Sequence, residues 1–140
     1  MAGADAPGRR PAAGREPRRR AGRLVIRGAV HRVDLGAPRG HEQGGRRYAV
    51  VLSPTDLSWS VATVAPTSTS AQPALSRPEV EVLGRPTRVL VDQIRTVDVD
   101  YLSADPVDYL GRDAMAQVDH ALAHYLGLVA ADGRGSSARP

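Results

Sequence analysis

Hydrophobic and polar positions alternate over short distances through the middle of the sequence. Strand-forming residues fill five runs, at residues 27–35, 48–52, 60–65, 79–83 and 87–91. Residues 79–83 alternate most clearly, because charged Glu79 and Glu81 interleave with Val80 and Val82, as in a strand with one solvent-exposed face. Turn-forming residues separate the runs, as in the predicted turn over residues 84–86, and no helical period lies between them. The pattern therefore predicts a small antiparallel barrel or sandwich.

The hydrophobic period becomes that of a helix near the end of the sequence. Apolar side chains recur at spacings of three, four and seven, at Met115, Val118, Leu122, Tyr125 and Leu126. Asp113 suits the positive end of the helix dipole, and Gly127 stands where a left-handed C-cap falls. We therefore expect a helix over residues 113–126 with one apolar stripe against the barrel.

The two ends of the chain have a different composition. Residues 1–22 are rich in Arg, Pro, Gly and Ala and contain almost no large apolar side chain. Such a segment cannot offset its ordering entropy by burial, so we expect a disordered tail. It is either a basic arm for nucleic acid or a solvated extension. We expect one domain over residues 23–128 and a flexible tail over residues 129–140.

Charge and composition narrow the class of protein. Residues 1–23 hold seven of the 19 basic residues and two of the 15 acidic ones, so the remaining chain carries a net charge of −1. The high pI thus comes from the tail and is weak support for a nucleic-acid-binding domain. Neither a membrane-length apolar run nor a signal-peptide core is present, and we expect a cytoplasmic protein.

The composition also limits metal chemistry. The absence of cysteine excludes disulfides, thiolate zinc sites and thiol nucleophiles. His120 and His124 have the spacing of a chelating pair, but no third ligand is nearby in the sequence. Two exposed helix histidines are the simpler interpretation, so we expect no metal and no cofactor.

A polar, glycine-rich loop at residues 36–46 leads directly into the strand over residues 48–52. The loop and its junction with the strand carry His41, Glu42, Gln43, Arg46 and Arg47. A rigid strand can hold such groups in a fixed geometry. The loop lacks the lysine and following helix of a phosphate-binding P-loop. It fits either a functional site or a solvated hairpin loop, and His41 either an acid–base group or a solvated side chain.

Two further segments carry candidate polar residues. Residues 66–71 form a predicted loop in which Thr67, Ser68 and Thr69 can bind phosphate oxygens or cap a turn. Residues 92–98 follow a buried strand and begin with Asp92, Gln93 and, after an isoleucine, Arg95. They fit an edge strand held by an Arg–Asp pair, or contacts to bases and phosphates.

Taken in order, these segments resemble the MazF/PemK family of type II toxin–antitoxin systems, whose members are mRNA interferases. The first matching motifs are Arg27-Gly28-x-Val30, Val33-Asp34-Leu35 and Gly40-x-Glu42-Gln43-Gly44-Gly45-Arg46-Arg47. The next are Val64-Ala65-Pro66-Thr67-Ser68-Thr69 and Asp92-Gln93-Ile94-Arg95-Thr96-Val97-Asp98. The last are Val118-Asp119-x-Ala121-Leu122 and Leu126-Gly127-Leu128. Together they extend over residues 24–128, and the ordered set is more specific than any single motif.

The resemblance implies a mainly β fold, a small SH3-like barrel with a C-terminal helix, shared by the MazF and CcdB branches. It also implies a homodimer, a cognate antitoxin and metal-independent cleavage of single-stranded mRNA. In this chemistry the ribose 2′-OH attacks the adjacent phosphate and leaves a 2′,3′-cyclic phosphate and a 5′-OH.

The resemblance also assigns residues. The catalytic arginine of the family falls on Arg47 and its catalytic hydroxyl on Ser68, with Thr69 as a second catalytic candidate and Thr67 on the other side. Expected RNA contacts are Glu42, Gln43, Arg46, Thr67, Asp92, Gln93 and Arg95.

Four positions depart from the family pattern. Ala29 replaces the usual Asp, His41 a small residue, Tyr48 the Pro after the catalytic arginine, and Ser68 the usual Thr. Arg47 is retained. The departures leave a second interpretation open, in which a non-enzymatic member binds a protein partner, either an antitoxin or, as in the CcdB branch, DNA gyrase.

Overall fold

The computed structural model describes residues 24–36, 46–55 and 60–128. Its seven strands are β1 (Ala29–Asp34), β2 (Arg46–Val51), β3 (Val61–Ser68), β4 (Glu79–Val82), β5 (Arg85–Val89), β6 (Arg95–Asp98) and β7 (Asp108–Tyr109). Short 3₁₀ helices cover Val91–Gln93 and Val99–Tyr101, and helix α1 covers Arg112–Tyr125. The predicted mainly β fold with a C-terminal helix is confirmed.

All strand pairs are antiparallel, and the strand order is β4-β5-β3-β2-β1-β7, with β6 also paired to β3. β3 is the central strand because it pairs with β2, β5 and β6 along different parts of its length. The sheet curls into a nearly closed barrel. At the gap between its ends, the backbone N–H of Leu83 donates to Oδ2 of Asp108 at 2.7 Å.

Valine dominates a core that has no phenylalanine to fill it. Successive side chains of a strand point to opposite faces, so Val50 and Val51 belong to different buried clusters. The Val50 cluster includes Val118 of α1, and the Val51 cluster includes Leu102 after the second 3₁₀ helix. Both faces of the sheet are therefore buried at β2, which makes this strand rigid.

Helix α1 begins and ends within one residue of the prediction. Its end is a Schellman motif, in which Leu128 N–H donates to Ala123 O at 2.7 Å and Gly127 N–H to His124 O at 3.1 Å. Gly127 has a φ of 77°, which confirms the predicted left-handed cap. The apolar stripe is only partly buried, because Tyr125 and Leu126 are about half exposed. The predicted stripe therefore packs on the barrel through Met115, Val118 and Leu122, and its last turn is half exposed.

Arg27 and Gly28 fasten α1 to the barrel. The Arg27 side chain donates from Nε to Leu52 O at 2.8 Å and from Nη2 to Asp119 Oδ1 at 2.6 Å. Gly28 has a φ of 92°, which glycine adopts without strain, and its backbone lies close to α1, since an added Cβ would reach van der Waals contact with Met115 Cγ at 3.4 Å. The Arg-Gly pair at the start of β1 is thus explained by helix docking.

Two predicted turns are placed differently in the structure. β3 continues through Ser68, so the predicted loop at residues 66–71 begins inside a strand. Pro66 is tolerated there because it lies where β3 changes partners, and its carbonyl accepts from Leu90 N–H at 2.8 Å. The turn predicted at residues 84–86 lies at Leu83 and Gly84, with φ of 52° and 77°, and β5 already begins at Arg85.

Several predictions fall outside the described residues. These are the two tails, at residues 1–22 and 129–140, and the loop residues His41, Glu42 and Gln43. The structure describes the backbone of Arg46 in β2 but not its side chain.

Candidate active site

A groove of about 850 Å³ opens on one side of the barrel. We use "the groove" for the space lined by residues of β1 and β2, the end of β3, the β4–β5 hairpin and the segment 101–103. Arg47, Thr67, Ser68 and Thr69 all line it. The structure therefore brings the expected catalytic arginine and all three candidate hydroxyl groups to one surface, although they come from two different strands.

The groove exists because β3 changes partners near its end. The ladder between β2 and β3 extends to Ala49 and Pro66, and the next residues of β3, Thr67 and Ser68, pair with β5 instead. β2 and β3 diverge from this point. The Thr67 hydroxyl donates to the carbonyl of Tyr48 at 2.9 Å and so ties the two strands together beyond the end of their ladder.

Arg47 lies on β2 directly before Tyr48 and pairs in register with Val33 of β1. The buried residues 49–51 follow it and anchor the strand in the core. The hydrogen bond from Thr67 holds the Tyr48 carbonyl, one residue after Arg47. A guanidinium is charged at all physiological pH values, and its planar fork of donors matches phosphate oxygens. Arg47 thus offers a fixed positive charge inside the groove.

The three candidate hydroxyl groups differ in their hydrogen bonds. Thr67 is buried, and its proton is committed to the Tyr48 carbonyl. Ser68 is 7% exposed, and its Oγ accepts the Ser70 N–H at 3.1 Å. Thr69 is exposed. Ser68 therefore has a fixed position, and its hydroxyl proton, unlike that of Thr67, is not donated to a backbone carbonyl. The other contact of its Oγ is the Ser70 hydroxyl at 3.5 Å.

The groove is positively charged although the domain is not. Its described charged residues are Arg32, Arg47 and Arg85 against Asp34. The Arg32 guanidinium also lies 5.8 Å from the centre of the Tyr48 ring, within range of a cation–π interaction. A concentration of one sign of charge in a cleft attracts a polyanion. The charge and the aromatic rings together suit a nucleic acid better than a small neutral substrate.

Sequence reasoning did not single out Arg32, Arg85 or Tyr101 as groove residues. Arg32 carried a weak signal, because it and Asp34 are the two exposed charged positions of a strand whose other residues are buried. Arg85 and Tyr101 carried none, since the hairpin and the 3₁₀ helix reach the groove only through the closing of the barrel.

The expected RNA contacts Asp92, Gln93 and Arg95 are not among the described residues that line the groove. Asp92 instead forms a two-pronged pair with Arg77, from Nε to Oδ1 at 3.2 Å and from Nη2 to Oδ2 at 3.0 Å. Burial alone would raise the pKa of Asp92, but the hydrogen bonds and charge of Arg77 outweigh it and lower that pKa. The same hydrogen bonds raise the pKa of Arg77 against the effect of its burial. Asp92 thus belongs to an Arg–Asp pair, as one interpretation of this segment expected, and its partner is Arg77.

The described part of the chain contains no group of three or more His, Asp or Glu side chains arranged to hold a metal ion. His120 and His124 instead meet edge to face, with ring centres 4.7 Å apart. None of the helices in the described ranges is long and apolar enough to cross a membrane.

Comparison with known proteins places this geometry in context. The family model described as "PemK-like, MazF-like toxin of type II toxin-antitoxin system" matches residues 26–126. A curated Mycobacterium tuberculosis protein, provisionally named a toxin, is 69% identical over 106 residues, which is 75% of this chain and all of the relative.

Solved structures support the same fold. MazF of Deinococcus radiodurans is 28% identical, with a TM-score of 0.66 over 75% of this chain and 98% of that protein. A mycobacterial endoribonuclease solved with its cognate antitoxin is 22% identical, with a TM-score of 0.63 over 74% of this chain and 96% of that one. At 22% identity the second likeness supports the fold alone.

Proposed function

The chain belongs to the PemK-like, MazF-like toxin family of type II toxin–antitoxin systems, and we propose that it is a sequence-specific endoribonuclease that cleaves single-stranded mRNA. The observation that carries the proposal is that Arg47 and Ser68 line the same groove, whose described charged residues are three arginines and one aspartate. Both residues stand where the family resemblance puts its catalytic groups. The departures at Ala29 and Tyr48 fall outside this pair: Ala29 is buried in β1, and the Tyr48 carbonyl accepts the Thr67 hydroxyl.

The proposed reaction needs only the RNA, water and groups of this chain. The ribose 2′-oxygen forms a bond to the adjacent phosphorus and gives its proton to water. The bond from phosphorus to the 5′-oxygen breaks, and that oxygen takes a proton from water. The products are a 2′,3′-cyclic phosphate and a 5′-OH. DNA lacks the attacking hydroxyl and is not a substrate.

Arg47 and Ser68 act on the phosphate in this scheme. Negative charge grows on the non-bridging oxygens in the transition state, and the Arg47 guanidinium faces them with fixed donors. The Ser68 hydroxyl donates a further hydrogen bond from its buried position. Each donor is preorganised by its strand, so little reorganisation is needed as the charge develops.

The family also implies partners. We propose that a cognate antitoxin covers the groove and that the active toxin is a homodimer. The groove suits an acidic antitoxin segment, because its described lining residues include three arginines and only one aspartate. Light scattering of the purified protein is expected to give twice the chain mass of 14.9 kDa. A mass of one chain at micromolar concentration would contradict the dimer.

Cleavage of single-stranded RNA by wild type and Arg47→Ala, with EDTA present, tests the enzyme proposal. We expect wild type to cut at defined positions and Arg47→Ala to be slower by a factor on the order of 10²–10³. The matched control is Arg112→Ala, an exposed arginine on α1 outside the groove, which should cut like wild type. Intact RNA with wild type, or equal cutting by wild type and Arg47→Ala, would refute the proposal. Growth arrest that persists with Arg47→Ala would favour the non-enzymatic partner-binding alternative.

A further inference from the structure

Tyr101 presents a large aromatic side chain to solvent inside the groove, with 65% of it exposed. Exposure alone is unremarkable here, since Tyr109 is 55% exposed and Tyr125 is 50% exposed. Those two tyrosines do not line the groove, whereas Tyr101 shares it with Arg47. The position of Tyr101, rather than its exposure, therefore sets it apart.

The backbone on both sides of Tyr101 is held firmly. Val99 and Leu102 are buried, and Leu102 forms a bridge to Val33 of β1. The 3₁₀ helix is capped by Asp98, whose Oδ1 accepts the Asp100 N–H at 2.8 Å. Immediately after Leu102, the Ser103 N–H donates to the Arg32 carbonyl at 2.9 Å. A ligand that contacts Tyr101 thus meets a ring on a backbone that is already ordered, which lowers the entropy lost on binding.

The surroundings of Tyr101 define the chemistry of that ligand. The groove supplies three guanidinium groups for phosphates, from Arg32, Arg47 and Arg85, and Tyr101 supplies an aromatic face. Proteins that bind single-stranded nucleic acid combine these two features, with bases stacked on aromatic rings and phosphates along a basic cleft. Arginine alone would serve any polyanion, so the exposed ring is the feature that favours an unpaired nucleobase.

We propose that Tyr101 stacks on one unpaired base of the RNA strand bound in the groove and thereby fixes that strand relative to Arg47. The inference rests on the proposed ribonuclease function and extends it to a positioning residue. A tyrosine offers a rigid ring with few torsions to order, which suits a stacking surface. The stacked face is apolar, so phenylalanine can replace tyrosine and alanine cannot.

The test begins with the RNA that wild type cuts. The mapped sequence is synthesised as a twelve-nucleotide RNA with a 2′-fluoro group at the cleaved ribose, which removes the attacking hydroxyl. Binding is measured for wild type, Tyr101→Ala, Tyr101→Phe and Tyr109→Ala. Tyr109 is the matched control, because it is exposed to a similar degree outside the groove. The same RNA is then made with one abasic nucleotide at each position in turn.

We expect Tyr101→Ala to weaken binding roughly ten- to a hundredfold, while Tyr101→Phe and Tyr109→Ala bind like wild type. We also expect one abasic position at which wild type and Tyr101→Ala bind equally, because the stacked base is then missing. RNA cleavage that depends on Arg47, together with equal binding by Tyr101→Ala, would overturn the stacking inference and leave the proposed function standing. A loss of affinity that is the same at every abasic position would also overturn it. Absence of any cleavage would defeat both.

Discussion

The Thr67 hydroxyl donates to the Tyr48 carbonyl at 2.9 Å, at the point where β3 leaves β2 and pairs with β5. This bond holds the two strands together just beyond their ladder. Arg47 immediately precedes Tyr48, and Ser68 immediately follows Thr67. One side-chain hydrogen bond therefore fixes the distance between the strand segments that carry the proposed catalytic pair.

Thr67→Val should test this positioning role, because valine keeps the shape and removes the donor. We expect the free energy of unfolding to fall by about 1–2 kcal/mol, since the part-buried Tyr48 carbonyl loses the Thr67 hydroxyl as its donor. We expect kcat on single-stranded RNA to fall as well. Thr67→Ser keeps the hydroxyl and should recover most of both losses. Urea unfolding and steady-state kinetics measure them, and a Thr67→Val enzyme with unchanged kcat would contradict the role.

Ser68→Ala and Thr69→Ala separate the two hydroxyl groups that remain candidates for catalysis. Ser68 is nearly buried and fixed at Ser70, whereas Thr69 is exposed. We expect Ser68→Ala to lower kcat on the order of 10²-fold, as loss of a preorganised donor does, and Thr69→Ala to lower it only slightly. Ser68→Thr should keep activity. The reverse order of the two alanine variants would move the catalytic hydroxyl to Thr69.

The Arg77–Asp92 pair should support folding, with no direct role in RNA cleavage. Its side chains are about one-quarter exposed, so Asp92→Asn should lower the free energy of unfolding by about 1 kcal/mol at neutral pH. Because folding lowers the pKa of Asp92, the pair stabilises the protein above the ordinary carboxyl pKa of 3.8. That stabilisation is lost as the pH falls through the lower pKa of the folded state.

The measurement for this pair is urea unfolding of wild type and Asp92→Asn across pH, together with the cleavage rate at neutral pH. The difference in stability should be full at neutral pH and should shrink as the pH falls below 3.8. A difference that grows under acid would contradict the ion-pair account. A large loss of cleavage in a fully folded Asp92→Asn protein would instead support Asp92 as an RNA contact.

Leu83 occupies a backbone conformation that a branched apolar residue rarely adopts, with a φ of 52°. Asparagine tolerates this region well, and Asn-Gly is the preferred pair for a two-residue hairpin turn. The Leu83 side chain is 49% exposed, so little burial is lost on replacement. We expect Leu83→Asn to raise the free energy of unfolding by about 0.5–1 kcal/mol. The control is Leu75→Asn, at a leucine that is 88% exposed, which should change the free energy of unfolding little. If Leu83→Asn destabilised the protein, the proposed backbone strain at Leu83 would be refuted.

The sequence predicted the parts of the site that depend on local order. The junction of a glycine-rich polar loop with a buried strand marked the region of Arg46 and Arg47, and β2 begins at Arg46. The choice of Arg47 as the catalytic residue came from the family resemblance. The cluster of hydroxyl residues at 67–69 could be found from the sequence. The extended backbone of Thr67 and Ser68 could not, because a proline such as Pro66, considered alone, favours a loop. Only the switch of β3 from β2 to β5 makes a proline acceptable there.

Other features depend on contacts between distant segments. Arg85 and Tyr101 reach the groove because the barrel closes, and no local pattern carries that information. Leu83 was missed as a turn residue because its conformation opposes its own preference, and the hydrogen bond from its N–H to Asp108 helps to hold it. An Arg–Asp pair was one expectation for the segment of Asp92, but Arg77 could not be named as the partner, since it lies fifteen residues away in the sequence.

The chemistry of one RNA bond tests the proposed cleavage most directly. The cleaved sequence is made with a single 2′-deoxyribose at the mapped position and incubated with wild type and Arg47→Ala. We predict that wild type leaves this bond intact, while it cuts the all-ribose RNA to a 2′,3′-cyclic phosphate and a 5′-OH. We predict that Arg47→Ala cuts the all-ribose RNA far more slowly. Cleavage of the 2′-deoxy bond at the wild-type rate would contradict attack by the 2′-OH, and undiminished cleavage by Arg47→Ala would contradict the role of Arg47.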